Sequence, residues 1–293
     1  MRFGFQHYHM RLLFYSLILA IALSACNWIN PSEEIPSYVR IDSISFSATG
    51  TQGTASQSIV DAWVYIDGEN AGVYELPCTF PVLKTGNCRI QVFPGIKLDG
   101  ISATRAIYPF MKSWEGNFDL LENSITIISP AVTYAGNLEF EVIEDFESGG
   151  ITFSETVYSD TILMRSSDPG EVFEGGYSGK IVVDTDHPLA DVKSNDAFLL
   201  PQGGAYNFLE LNFKTDVAVG VGVIANDGTQ SVYHPVVGLN PTTTWKKIYI
   251  NLSPVVSRET SSYSFYVFFR INLPDDMSVA TFSVDNIKLI HVQ

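Results

Sequence analysis

Ala62-Trp63-Val64-Tyr65-Ile66-Asp67-Gly68 is an alternating apolar run closed by an Asp-Gly pair. Alternation with a period of two marks a strand, and Asp-Gly supplies the positive φ angles of a tight hairpin turn. Upstream, Val39-Ile41-Ser43-Ser45 interleaves with Arg40-Asp42-Ile44-Phe46, which reads as one strand with apolar positions on parts of both faces. Downstream come Ala71-Gly72-Val73-Tyr74-Glu75-Leu76-Pro77 and Phe80-Pro81-Val82-Leu83. A turn at Thr85-Gly86-Asn87 and the run Cys88-Arg89-Ile90-Gln91-Val92-Phe93-Pro94-Gly95 follow. Residues 37–140 contain no stretch with helical apolar spacing. Tyr108-Pro109-Phe110 and Trp114 lie in the next loop region, where large rings are expected to pack rather than face water.

The same pattern continues to the end. Strand-like runs occupy 180–183, 206–213, 217–224, 245–252, 263–272 and 280–292, separated by turns such as Asn226-Asp227-Gly228 and Asn240-Pro241. Short strands with Gly, Asn and Pro between them, and no helix, predict a sandwich. The expected class is therefore all-β, with two β-sandwich domains. Residues 37–140 form a small sandwich and residues 141–293 a second one. The second segment carries a complete strand set and is expected to fold alone.

Composition bounds the function. The 293 residues are 46% hydrophobic and 17% charged, enough apolar material for a core. The net charge of −15 excludes a surface built for nucleic acid, which needs clustered cations. Five scattered histidines do not make a His-rich metal enzyme. The sequence has no Gly-x-Ser-x-Gly, no His-Glu-x-x-His and no Walker loop. Glu141, Glu144, Asp145 and Glu147 form an acidic cluster, but paired carboxylates hydrolyse glycosides only across a cleft, and these sit at a domain junction. The expectation is a protein without catalytic activity.

The N-terminus is a targeting segment. Arg2 and Arg11 flank a polar-aromatic start, and residues 12–25 are apolar except for Ser16 and Ser24. This run is shorter than the ~20 residues a membrane-spanning helix needs and suits a secretory signal. It ends in Leu23-Ser24-Ala25-Cys26, which resembles the lipobox of bacterial lipoproteins. The resemblance implies cleavage before Cys26, a diacylglyceryl thioether on its sulfur and an acylated amine. Each buried CH₂ contributes about 0.8 kcal/mol, so two or three chains anchor stably. Asn27 stands where the family's inner-membrane retention signal is usually Asp, so the resemblance implies the outer membrane. Ser32-Glu33-Glu34 resembles the acidic stretch that sends some lipoproteins to the cell surface, though further from the cysteine. Residues 1–25 carry two arginines and no acid, so the processed chain is more negative still. Residues 26–36, with two prolines and no periodicity, read as a tether that holds the body off an anionic membrane. Cys78 and Cys88 are then an even pair beyond the inner membrane, which reads as a disulfide worth about 3 kcal/mol.

Two further resemblances set expectations. Strand, Asp-Gly turn, Gly-to-Pro segment and closing Ile-x-Val strand over residues 62–95 resemble the PEGA domain family, departing where 73–76 lengthen the gap before Pro77. That family is a small β-sandwich of envelope proteins. Asp145-Phe146-Glu147-Ser148-Gly149, Tyr177-Ser178-Gly179-Lys180, 245–252 and Val284-Asp285-Asn286-Ile287-Lys288-Leu289 together resemble jelly-roll carbohydrate-binding modules and their galactose-binding-like relatives. This resemblance implies a structural Ca²⁺ at Glu147 and Asp285, carboxylates being what that hard cation prefers. The alternative is that Asp285-Asn286 is a turn or bulge.

Sugar sites need flat rings and hydrogen-bonding groups. In 263–272, Phe265, Val267, Phe269 and Ile271 take one face and Tyr266, Phe268 and Arg270 the other. If the glycine-bearing run 217–224 is the neighbouring strand, these aromatics lie over Gly220 and Gly222; otherwise they line a groove. Trp245 is read as sealing the core at a strand start. The expected function is a glycan-binding lipoprotein of the outer membrane. The alternative is a structural subunit of an outer-membrane uptake, secretion or assembly complex that binds protein.

Overall fold

The computed structural model describes residues 14–16 and 34–293. The lipobox with Cys26 and most of the signal and tether lie outside the described residues. No helix among the described residues is long and apolar enough to cross a membrane.

The first sandwich contains β1 (Ser37–Ile41), β2 (Ser45–Ser47), β3 (Asp61–Ile66), β4 (Glu69–Glu75), β5 (Cys78–Val82), β6 (Gly86–Lys97), β7 (Arg105–Ile107), β8 (Trp114–Leu120), β9 (Ile125–Ile128) and β10 (Ala131–Thr133). One sheet runs β4-β3-β6-β7, with β8 also on β6; a second runs β5-β1-β9, and β10 pairs with β2. Alternation in β3 buries Ala62, Val64 and Ile66. The β3–β4 turn has positive φ at both Asp67 (54°) and Gly68 (85°), the geometry Asp-Gly permits. The expected single strand over 39–46 is instead two. β1 lies between β5 and β9, while β2 pairs with β10, and buried Ile44 sits in the link between them. The apolar positions on both faces mark this change of partner.

The second sandwich contains β11 (Leu138–Glu144), β12 (Phe153–Glu155), β13 (Met164–Ser166), β14 (Ser178–Asp184), β15 (Leu189–Ser194), β16 (Asn207–Thr215), β17 (Val219–Asn226), β18 (Ser231–Leu239), β19 (Thr242–Asn251), the short helix α1 (Ser253–Arg258), β20 (Ser264–Asn272) and β21 (Val279–Val292). One sheet is β13-β14-β21-β16-β19 with β11 also on β21; the other is β12-β15-β20-β17-β18. These two antiparallel sheets enclose a core that includes Phe269, Phe282, Leu289 and Val221. The chain is all-β in two sandwiches, the second a jelly roll. Helix α1, which strand periodicity does not announce, starts with Pro254 in its first turn, a position that needs no N–H donor. Strand β11 runs across residues 140 and 141, the expected boundary between the two domains.

The outer face of the β16-β19-β21 sheet is not solvent-exposed. Tyr108 and Phe110 from the first sandwich pack on Phe208, and Tyr108 also on Tyr249, with ring centroids 4.7–5.4 Å apart. Phe208, Tyr249 and Ile290 therefore belong to the first sandwich's core. This explains β21, where nearly every residue is buried: one face lines the jelly-roll interior and the other meets the first sandwich. Among these apolar groups lies Glu210. Its carboxylate accepts from the Tyr108 hydroxyl at 2.7 Å and from Tyr134 at 3.0 Å. Lys247 lies 2.8 Å and Lys288 3.7 Å away. Burial alone would raise the Glu210 pKa; the two ammonium groups outweigh it and hold the carboxyl below its ordinary range.

The expected disulfide is not formed. Cys78 and Cys88 are both free thiols. Cys78 sits on β5 opposite Ile41, and Cys88 on β6 opposite Phe118 in the other sheet. Burial raises both thiols above their ordinary pKa.

Candidate functional site

Strand β20 is the middle of the β12-β15-β20-β17-β18 sheet, and its alternation determines what the sheet presents. Phe265, Val267, Phe269 and Ile271 point into the core, each 1% exposed or less. Tyr266, Phe268 and Arg270 lie on the opposite face, as expected. Residues paired across an antiparallel ladder share a face. Asp191 and Lys193 of β15 stand beside Arg270 and Phe268, and Gly220, Gly222 and Ile224 of β17 stand on the other side. Tyr233 of β18 is opposite Ile224.

The three candidate residues do different things. Phe268 is 1% exposed, so it is not a contact residue. Its ring lies against Gly222, where an added Cβ would come within 2.9 Å of it, and the Tyr233 ring meets it edge-on at 5.1 Å. The glycine makes room, and the ring becomes the floor of the face. Tyr266 is half-buried, with the Lys193 ammonium 3.8 Å above its ring centroid. Arg270 keeps 37% of its side chain exposed. Its Nε donates to Asp191 Oδ2 at 2.9 Å, Nη2 reaches the same oxygen, and the guanidinium stands 4.7 Å from the Tyr233 ring centroid. Asp191 is wholly buried, so Arg270 balances its charge while still facing water. Burial first, then the Asp191 charge, raise the Tyr233 phenol above its ordinary pKa. The result is a face with two tyrosine rings and two cations over an apolar floor. Exposed Tyr158 lies in the loop after β12. Such a face can stack rings and donate hydrogen bonds; it brings no nucleophile and base together.

Asp191, Lys193 and Tyr233 were not picked out from the sequence. Ala190-Asp191-Val192-Lys193 does alternate, and that signal could have found β15. Tyr233 sits in β18, which contains Pro235 and therefore does not read as a strand. Proline is tolerated there because β18 is an edge strand with a register shift between Val221 and Gly222 of its partner.

The expected calcium pair does not fit the ion. Glu147 Oε1 accepts the amides of Gly176 (2.9 Å) and Tyr177 (3.0 Å). Asp285 Oδ2 accepts the Ser178 hydroxyl at 2.5 Å, and Oδ1 the amide of Asn286 at 2.7 Å. Calcium takes six to eight oxygens, whereas these carboxylates meet N–H and O–H donors. Among the described residues, no group of three or more His, Cys, Asp or Glu could hold a metal ion. Asn286 instead has φ of 51° at a register shift between β16 and β21, so Asp285-Asn286 is a bulge. The acidic cluster at 141–147 is likewise structural at its buried member. Glu144 accepts the amides of Phe146 and Thr152, both at 2.7 Å.

A cleft of about 540 Å³ opens between the sandwiches, and Trp245 lines it. Trp245 belongs to neither core; it packs against Phe173, ring centroids 5.4 Å apart. The expectation that it seals a core is corrected. It lies beyond the part of β19 that the first sandwich covers.

No protein-family model and no curated protein matches the chain. Solved structures with a likeness to it include carbohydrate-binding modules. One, from a study of the promiscuous specificity of modules of the β-sandwich superfamily, has 13% identity and TM-score 0.39, over 78% of this chain and 84% of that one. The family 11 module of the cellulosomal cellulase Lic26A-Cel5E of Clostridium thermocellum has 16% identity and TM-score 0.35, over 52% and 94%. The enzymatically active domain of bacteriophage CBA120 tailspike protein 4 has 14% identity and TM-score 0.36, over 47% of this chain but only 19% of that chain's length. The sandwich assignment rests on the sheet pairings of this chain themselves.

Proposed function

We propose that this protein is an outer-membrane lipoprotein, anchored through Cys26, that binds a glycan without chemistry on the open face of its jelly roll. The observation that carries the reading is the grouping of Tyr233, Tyr266, Lys193 and Arg270 over the Phe268 floor. Tyrosine rings offer flat surfaces to the C–H faces of a sugar, and the cations offer donors to its hydroxyls. Lys193 must swing off Tyr266 to admit a ring, which a flexible, solvated ammonium stem permits.

The test is binding of the mature chain to a panel of neutral polysaccharides, with Tyr266→Ala and Lys193→Ala as variants. Both are expected to weaken retention while leaving the melting temperature within a few degrees. Absence of binding across a broad panel by the folded wild type would end this reading.

One feature favours a protein partner. The β5-β1-β9 sheet ends in β9 as an open edge, with Ile125 and Ile127 each 60% exposed and Leu83 65% exposed. An unpaired edge with apolar side chains is a template for strand addition. Co-purification of a stoichiometric envelope protein, lost on Ile127→Lys, would support the structural-subunit reading instead.

A further inference from the structure

We propose that the cleft between the two sandwiches is a second binding site, selective for a carboxylate-bearing sugar such as a uronate. It is separate from the open face and independent of whether that face binds glycan.

Charge is the first argument. Lys247 lines the cleft, with its ammonium 2.8 Å from the buried Glu210 carboxylate behind it. Lys97 and Lys246 also line the cleft, and neither is in an ion pair among the described residues. In a chain of net charge −15, such a gathering of lysines is a local reversal of sign. Asp99 is the opposing acid on the cleft wall, and its Oδ1 is turned to the Asn251 amide at 2.7 Å. A low-dielectric cleft focuses the remaining positive field on whatever enters.

Shape and hydrogen bonding narrow the ligand. A volume of about 540 Å³ lies within the ordinary range of small-molecule sites, about 300–1,000 Å³. Trp245 supplies a flat indole on one wall. Asn212 is 1% exposed; its Nδ2 donates to Ser56 Oγ at 2.8 Å, which leaves its Oδ1 as a buried acceptor without a protein partner. The Trp245 Nε1 is a buried donor in the same position. Unmet buried groups of this kind reward a ligand that pairs them. Phosphate would answer the lysines and give the indole nothing. A neutral sugar would answer the indole and leave the charge unmatched. A sugar acid answers both, and it would touch Ser56 and Lys97 of one sandwich and Asn212 and Trp245 of the other.

The experiment titrates the mature chain with trigalacturonate and with cellotriose, by calorimetry at two salt concentrations. Trigalacturonate is expected to bind, at least tenfold more weakly in Trp245→Ala and in the Lys97→Ala/Lys246→Ala double variant, and more weakly at high salt in the wild type. Tyr266→Ala is expected to bind it unchanged, which separates this site from the open face. The lysine variants alter exposed or half-buried positions, so they keep the test valid if Trp245→Ala fails to fold. Four results would overturn the proposal. Wild type ignores trigalacturonate; cellotriose binds the cleft as well; the lysine variant binds normally; or inorganic phosphate competes equally, which would make the cleft a simple anion site.

Discussion

Tyr108 donates its hydroxyl to Glu210 across 2.7 Å, from one sandwich to the other and over 102 residues of chain. The bond joins the halves through two side chains that are both fully buried. Glu210→Ala would leave Lys247 and Lys288 facing each other without a carboxylate. Removing one partner of a buried ionic group costs about 3–5 kcal/mol. Tyr108→Phe removes one bond to a charged acceptor, about 1.5–3 kcal/mol. Urea unfolding of the whole chain is expected to rank the two in that order. An isolated 141–293 fragment would bare Phe208, Tyr249 and Ile290. It also loses Leu138–Phe140 of β11, is expected to aggregate, and light scattering on the fragment checks this.

Arg270 and Phe268 sit side by side on the open face yet should respond to truncation through stability. Arg270→Ala strips the wholly buried Asp191 of its cation and is expected to cost about 3–5 kcal/mol. Phe268→Ala empties the floor against Gly222, also about 3–5 kcal/mol. Tyr266→Ala should stay within about 1 kcal/mol, since the ring is half-buried on a solvated face. Thermal melts of the three variants decide this. A neutral Arg270→Ala would mean that Asp191 finds another partner.

What the sequence revealed follows from what periodicity can see. The period of two in β20 separated Phe265, Val267, Phe269 and Ile271 from Tyr266, Phe268 and Arg270 correctly. It could not tell an exposed face residue from one roofed by a neighbour, because Phe268 is buried by Tyr233 from a strand that Pro235 disguised. The glycines of β17 carried the missing information. Gly222 marks a close approach, of the His234 carbonyl and of the Phe268 ring. Glu210, Lys247 and Lys288 look like ordinary polar positions on alternating strands. Only the docking of the first sandwich makes them interior, and no local pattern encodes that contact. Glu147 and Asp285 show the converse. The right residue types stood at the right places in the order of strands, but their oxygens meet backbone and hydroxyl donors instead of converging.

The two thiols offer a sharp chemical test. Cys88 is 3% exposed and Cys78 is half-buried, and burial raises the pKa of each. The thiolate is the reactive form, so both should alkylate slowly in the folded protein, Cys78 ahead of Cys88. In denaturant without reductant, both are expected to take iodoacetamide fully. Peptide mass spectrometry reads the result; if neither residue is modified until a reductant is added, the cysteines are bridged and the free-thiol arrangement is wrong.

Asp285 makes stability depend on pH in an unusual direction. Burial raises its carboxyl to about 7, outweighing the Ser178 hydroxyl and the Asn286 amide that favour the ionised form. In the unfolded chain an aspartate titrates near 3.9. Below that value both states hold the proton and the group costs nothing. Between about 4 and 7 the unfolded chain has lost the proton and the folded one keeps it, so rising pH pulls toward unfolding. Above about 7 the folded carboxylate ionises too, and the loss is complete. Asp285→Asn fixes the neutral form, keeps an oxygen for the Asn286 amide and presents an N–H₂ to the Ser178 oxygen. The variant and the wild type are expected to be about equally stable near pH 4. The variant should pull ahead as the pH rises to 8. Denaturant titrations of both proteins across that range measure the difference directly, and every other titrating group cancels between them. Parallel curves from pH 4 to pH 8 would show that Asp285 is ionised throughout and that its burial is compensated by donors beyond Ser178 and Asn286.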